Sequence, residues 1–160
     1  MSSNPIDYAI RIIESVAFSI HSILGITELC TGCLRSAFQD NGAMPLWFWP
    51  LGGILLAFVA YLNFSDNNEV VIGVQAYIAA FHSGGAFYHL RLKHHPATGL
   101  APGFFVFLAL IVLTLRTNLL IAVLITAACV VVAKLLSLVL VTPPNQDEDK
   151  SLLSSGMALD

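Results

Sequence analysis

Apolar residues run along the chain in five blocks, separated by short polar breaks. A helix needs about 20 largely apolar residues to cross the hydrocarbon of a bilayer. The pattern predicts spans over 8–30, 44–62, 69–90, 100–115 and 119–141. The first is the most polar, and a connector with Gly32, Arg35, Asp40 and Gly42 follows it. The second opens on Pro45 and on Trp47, Phe48 and Trp49, an aromatic set suited to the membrane interface. The third is rich in small residues. The fourth is the shortest and the least span-like, lying between a turn at Pro96 and the break Arg116-Thr117-Asn118. Pro143 and Pro144 stop the last. The expected organisation is one transmembrane helical bundle over 1–142 and a disordered acidic tail over 143–160.

Composition points to the same solvent. Hydrophobic residues make up 57% of the chain and charged residues 11%. Soluble domains carry about 25% charged residues, too many for this chain to match. A lipid surface needs few charges, so the expected class is all-α and integral to a membrane, crossing it several times. The net charge is −3, with much of the acidic excess at Asp147, Glu148 and Asp149. No basic patch suggests a nucleic-acid partner. The first ten residues lack the basic stretch of a cleavable leader, so the first block reads as a retained helix.

Lys and Arg in short loops set orientation. Arg35 follows the first span, and Arg91 and Lys93 follow the third. Alternating topology puts these loops on one side, expected to be cytoplasmic. The N-terminus, 63–68 and Arg116 then share the other side. Asn63-Phe64-Ser65 is a glycosylation sequon there, expected to stay unmodified so close to the membrane.

Polar residues inside spans are costly and are candidates for function. Asp7, Glu14, His21 and Glu28 recur every seven residues in the first span, with Arg11 close enough to neutralise Asp7 or Glu14. Asn68, Gln75, His82 and His89 recur in the same way in the third, among the small residues Ala79, Gly85 and Ala86. Seven residues are nearly two helical turns, so each series forms one slowly drifting stripe. Facing stripes would pair Glu14 with Gln75, His21 with His82, and Glu28 with His89. Such a seam could be structural, each interhelical hydrogen bond contributing about 0.6 kcal/mol. It could instead hold a quinone, a proton or another small ligand, since a His beside a carboxylate moves protons near neutral pH. A haem between His21 and His82 is a further option. Lys134 is expected to snorkel to the interface, with Glu28 as an alternative partner.

Cys30-Thr31-Gly32-Cys33 is a C-x-x-C that reads as two free thiols, a redox dithiol or half of a zinc site, to which His94 and His95 could add. No metal is assigned. Cys129 reads as apolar filler. His89, His94 and His95 resemble one histidine box of membrane di-iron oxygenases, but five histidines are too few for the several boxes those sites need. No hydrolase, zincin or P-loop motif occurs, so no catalytic residue is assigned and an enzyme is not the leading expectation.

Three stretches resemble the DoxX-like membrane proteins. They are Gly25-Ile26-Thr27-Glu28-Leu29, Pro50-Leu51-Gly52-Gly53, and 80–96 followed by an apolar block ending at Arg116. The resemblance covers roughly 8–116 and implies a four-helix core, to which this chain adds a fifth span. Glu28 stands where that family usually has Lys, and the family's second-span Glu has no counterpart. Members are implied in quinone reduction, thiol redox complexes and receptor assembly. The leading functional expectation is therefore a non-catalytic accessory or assembly partner of another membrane protein, or a self-associating one. A redox subunit using quinone or thiols, and a small transporter or channel, are the alternatives.

Overall fold

The computed structural model describes residues 4–38 and 43–141. Asp40, Gly42, Pro143, Pro144 and the acidic tail lie outside the described residues. Among those described, every regular element is helical and there is no strand. The protein is an all-α helical bundle.

Helix α1 spans Pro5–Ile26. Asn4 caps it, its side chain accepting from Ile6 N at 3.0 Å. The apolar block was expected to run on to residue 30, but the helix stops at Thr27. A single turn, α2 (Glu28–Thr31), follows. Gly32 then takes a left-handed conformation at φ 61°, which redirects the chain into α3 (Cys33–Ala37). Helix α4 covers Phe48–Leu62, only 15 residues. Helix α5 (Asn68–Arg91) is capped by Asn67, which accepts from Glu69 N at 2.8 Å. A 3₁₀ turn at Pro96–Gly99 leads into α6 (Leu100–Arg116). Helix α7 (Leu119–Leu140) starts from Asn118, whose side chain accepts from Ile121 N at 3.0 Å.

Among the described residues, four segments are long and apolar enough to cross a membrane: Pro5–Ile26, Asn68–Arg91, Pro96–Arg116 and Leu119–Leu140. The block expected to be least span-like, 100–115, qualifies because the turn at Pro96 extends it to 21 residues. The short element is α4 instead, because Pro45 and a turn occupy the start of the 44–62 block. At 1.5 Å per residue α4 is about 22 Å long, against about 30 Å of hydrocarbon. Pro5, Pro50, Pro96 and Pro102 all sit in the first turn of their helices. A missing N–H costs little there, which is why these apolar segments tolerate them.

Helix α1 packs along α4, while α5 packs on α6 and α7. The two groups meet more sparsely, mainly through α1–α6 and α4–α5. Phe18, Leu56, Ile78 and Ala109 form the core where they join. The tightest approach is between α1 and α4. A Cβ added at Gly53 would lie 2.7 Å from Ile26 N, and one at Gly25 would lie 2.9 Å from Gly53 Cα. Gly85, one of the small residues expected to bring α5 close to a neighbour, has only an ordinary 3.7 Å clearance to Pro102. The outer faces of α1, α4, α6 and α7 carry exposed large apolar side chains, whereas α5 exposes only Leu90 among its own.

Candidate functional site

One end of the bundle is closed by ion pairs. Asp7 is buried in α1 and accepts two hydrogen bonds from Arg116, Nε at 2.9 Å and Nη2 at 2.5 Å. Arg11 Nη1 adds a third at 3.2 Å. Arg11 reaches Asp7 rather than Glu14, and its other nitrogens donate to the Asn63 and Ser65 carbonyls. Arg116 also donates to Asn68 Oδ1 at 3.3 Å. The N-terminus, the 63–68 turn and Arg116 therefore share one end of the bundle, as an alternating topology requires.

Nearly two helical turns deeper than Asp7 lies a buried carboxyl–amide cluster. Glu14 Oε2 accepts from Gln75 Nε2 at 2.7 Å and from Asn63 Nδ2 at 3.0 Å. Gln75 Nε2 also donates to Asn63 Oδ1 at 2.9 Å. All three side chains are fully buried. The Glu14–Gln75 pair of the expected seam is thus present, although α1 and α5 have no Cα atoms within 8 Å of each other. Only long side chains bridge that diagonal. Asn63 is the member that sequence reasoning missed, because its sequon context drew attention to glycosylation. Its burial and its hydrogen bonds close it to a glycan.

The other two seam pairs are not hydrogen-bonded to each other, although His21 and His82 line the same cavity. His21 Nδ1 lies 3.0 Å from Ala17 O, and His82 Nδ1 lies 2.9 Å from Ile78 O, so each ring turns to its own helix. The His82 ring packs between Phe18 and Phe105, at 5.2 and 4.7 Å between centroids. Glu28 does not meet His89. The break at Thr27 takes it off the α1 stripe, and its carboxylate receives Leu34 N at 2.6 Å, Arg35 N at 2.9 Å and Arg35 Nε at 3.2 Å. Burial acts to raise the Glu28 carboxyl, but these donors and the guanidinium charge outweigh it and hold it below its ordinary value. His89 Nδ1 instead pairs with His94 Nδ1 at 2.8 Å.

Cys30 and Cys33 are exposed, free thiols on either side of Gly32. Among the described residues no three His, Cys, Asp or Glu side chains converge as a metal site. Lys134 is exposed, and the partners of Glu28 do not include it. Cys129 is more than filler, since its thiol donates to Ala76 O at 3.2 Å and ties α7 to α5. Arg91 reaches Ser137 O at 2.6 Å and fixes the opposite ends of the same two helices.

Between the α1–α4 pair and α5–α7 lies a cavity of about 480 Å³, within the range of small-molecule sites. Aromatic residues line it, among them Phe18, Trp49, Phe81 and Phe105, and His21 and His82 belong to the same wall. Gly52 and Gly84 keep it open, since a Cβ at either would meet nothing within 4 Å. The glutamate–amide cluster is not part of this lining. Compared with protein-family models, with curated proteins and with solved structures, the chain has no significant match.

Proposed function

We propose that this chain is a multi-pass integral membrane protein that holds one apolar small molecule, drawn from the bilayer, in the cavity between its two helix groups. The cavity carries this reading. It is mostly apolar, lies among helices long enough to span, and is held open by glycines where larger side chains would fit. Long-chain alcohols, sterols and isoprenoid quinones belong to the class of molecule that such a wall suits. The role is binding rather than chemistry: of the expected seam, His21, His82 and His89 line the cavity, Glu14 and Gln75 belong to a structural cluster, and Glu28 holds the start of α3. The DoxX-like resemblance is part of the proposal. Two of its glycines, Gly25 and Gly53, form the α1–α4 contact, and Gly52 opens onto the cavity.

An accessory role beside another membrane protein is the second reading. Helix α7 favours it, for only Ala122, Ala133 and Ser137 are buried along its 22 residues. That leaves a long apolar face for lipid or for a partner helix.

The test is mass spectrometry of small molecules extracted from protein purified in native lipid patches. Wild type should retain an apolar molecule at close to one per chain. Gly84→Leu should fill the cavity, keep the same thermal unfolding temperature and lose that molecule. Extracts of both proteins that match bulk lipid would rule the binding role out.

A further inference from the structure

The polar atoms on the cavity wall restrict what can occupy it. A backbone carbonyl only accepts hydrogen bonds, so the contacts of His82 with Ile78 O and of His21 with Ala17 O make Nδ1 the donor in both rings. In the neutral imidazole that tautomer leaves Nε2 as an acceptor. Neither Nε2 has a hydrogen-bond partner among the described residues. The Ser137 hydroxyl, on the same wall, already donates to Lys134 O at 2.7 Å. Trp49 is the obvious donor nearby, but its Nε1 is sealed within the packing rather than offered to the space. Tyr77, on the same wall, has a hydroxyl that can donate or accept, whereas the two Nε2 atoms can only accept.

Resting on the binding role proposed above, we infer that the occupant is an apolar alcohol whose hydroxyl donates to His82 Nε2. Its hydrocarbon body lies against the aromatic and glycine surface. His82 is the better placed of the two rings. It is half-buried and held among Phe18, Phe81 and Phe105, whereas His21 is exposed. A ketone, ester or ether offers only acceptors, so it would leave that nitrogen unpaired in an apolar site. A buried polar atom left without its partner is costly, which turns one hydrogen bond into selectivity. The same chemistry could come from a linear or a fused-ring alcohol.

The experiment is competition against a diazirine-bearing tetradecanol, photo-crosslinked to wild-type protein in nanodiscs and mapped by peptide. The competitors are 1-tetradecanol and its methyl ether, and cholesterol and its methyl ether. Crosslinks should map to cavity residues and be absent in Gly84→Leu. One alcohol should compete about fivefold better than its ether, the factor expected for one net hydrogen bond. The pair that shows this preference identifies the shape of the body. In His82→Phe the preference should vanish while crosslinking persists. Equal competition by alcohol and ether in wild type would overturn the hydroxyl inference and leave the cavity's binding role standing. Stronger competition by 2-tetradecanone than by the alcohol would show that a donor on the wall, an imidazole or the Tyr77 hydroxyl, sets the preference, and would overturn it as well. A preference that survives in His82→Phe would remove His82 from the site. Absence of any cavity crosslink would defeat the binding role itself.

Discussion

Glu28 sits at the point where α1 breaks, and three donors converge on its carboxylate from α3. Two are backbone N–H groups at the start of a five-residue helix, so the side chain replaces the intrahelical partners that α3 lacks there. Because its folded value lies below the ordinary 4.5, this contribution is complete above that pH. It is lost as pH falls through the lower folded value. Glu28→Gln should therefore destabilise the protein at neutral pH by about 1.5–3 kcal/mol, as expected for hydrogen bonds to a charged group. It should also flatten the acid side of the stability curve. Thermal unfolding in one detergent from pH 3 to 7 reads both effects, and parallel curves for the two proteins would assign the acid slope to another group. At this scale the sequence was partly legible. The period of seven found Glu14 and Gln75, which do meet. It misplaced Glu28, and with it the pairing to His89, since a heptad stripe holds only while the helix continues, and α1 ends at Ile26. Asn63 was hidden because burial, not residue type, makes it a partner of Glu14.

Helix α4 is the shortest of the membrane-scale elements and the one packed most closely on its neighbour. Gly25 and Gly53 let the α1 and α4 backbones touch where any Cβ would collide with main chain rather than with a yielding side chain. Gly53→Ala should force the helices apart and cost about 1–3 kcal/mol or more, the usual range for overpacking. Gly52→Ala, one residue away with open space around it, should be neutral or gain up to about 1 kcal/mol of helix propensity. Equal unfolding temperatures for the two variants would remove the close contact as a determinant of the fold. The helical class and the long helices α1 and α4 to α7 could be read from apolar block length alone, although only four segments among the described residues are long enough to span. Their ends could not, because Pro45 delays α4, Pro96 extends α6, and Gly32 turns the chain after α2. The α1–α4 contact was also unreadable from pattern. Several glycines occur along these helices, and only packing distinguishes one that touches backbone from one that opens a cavity.

Across the whole molecule the two ends differ in how their charges are satisfied. At one end Asp7 gathers Arg11 and Arg116 into a closed cluster, and at the other Arg91 and Lys93 flank a turn beside the His89–His94 pair. Lys and Arg in short loops favour the cytoplasmic side, and the second end carries Arg35, Arg91 and Lys93 in its loops against Arg116 at the first. The end carrying Arg35, Arg91 and Lys93 should therefore face the cytoplasm, and Cys30 and Cys33 are exposed at that end. A membrane-impermeant maleimide applied to intact cells should leave both thiols unlabelled and modify them after permeabilisation. Asp66 is exposed in the turn at the opposite end. In a Cys30→Ser/Cys33→Ser background, Asp66→Cys should show the reverse, with labelling before permeabilisation. Cys129 is half-buried and bonded to Ala76 O, so it should resist the reagent in both states. Labelling of Cys30 and Asp66→Cys from the same side would contradict the alternating topology. Labelling of each from the side opposite to that expected would keep the fold and invert the orientation, which would make the arginines at the Asp7 end the stronger signal during insertion.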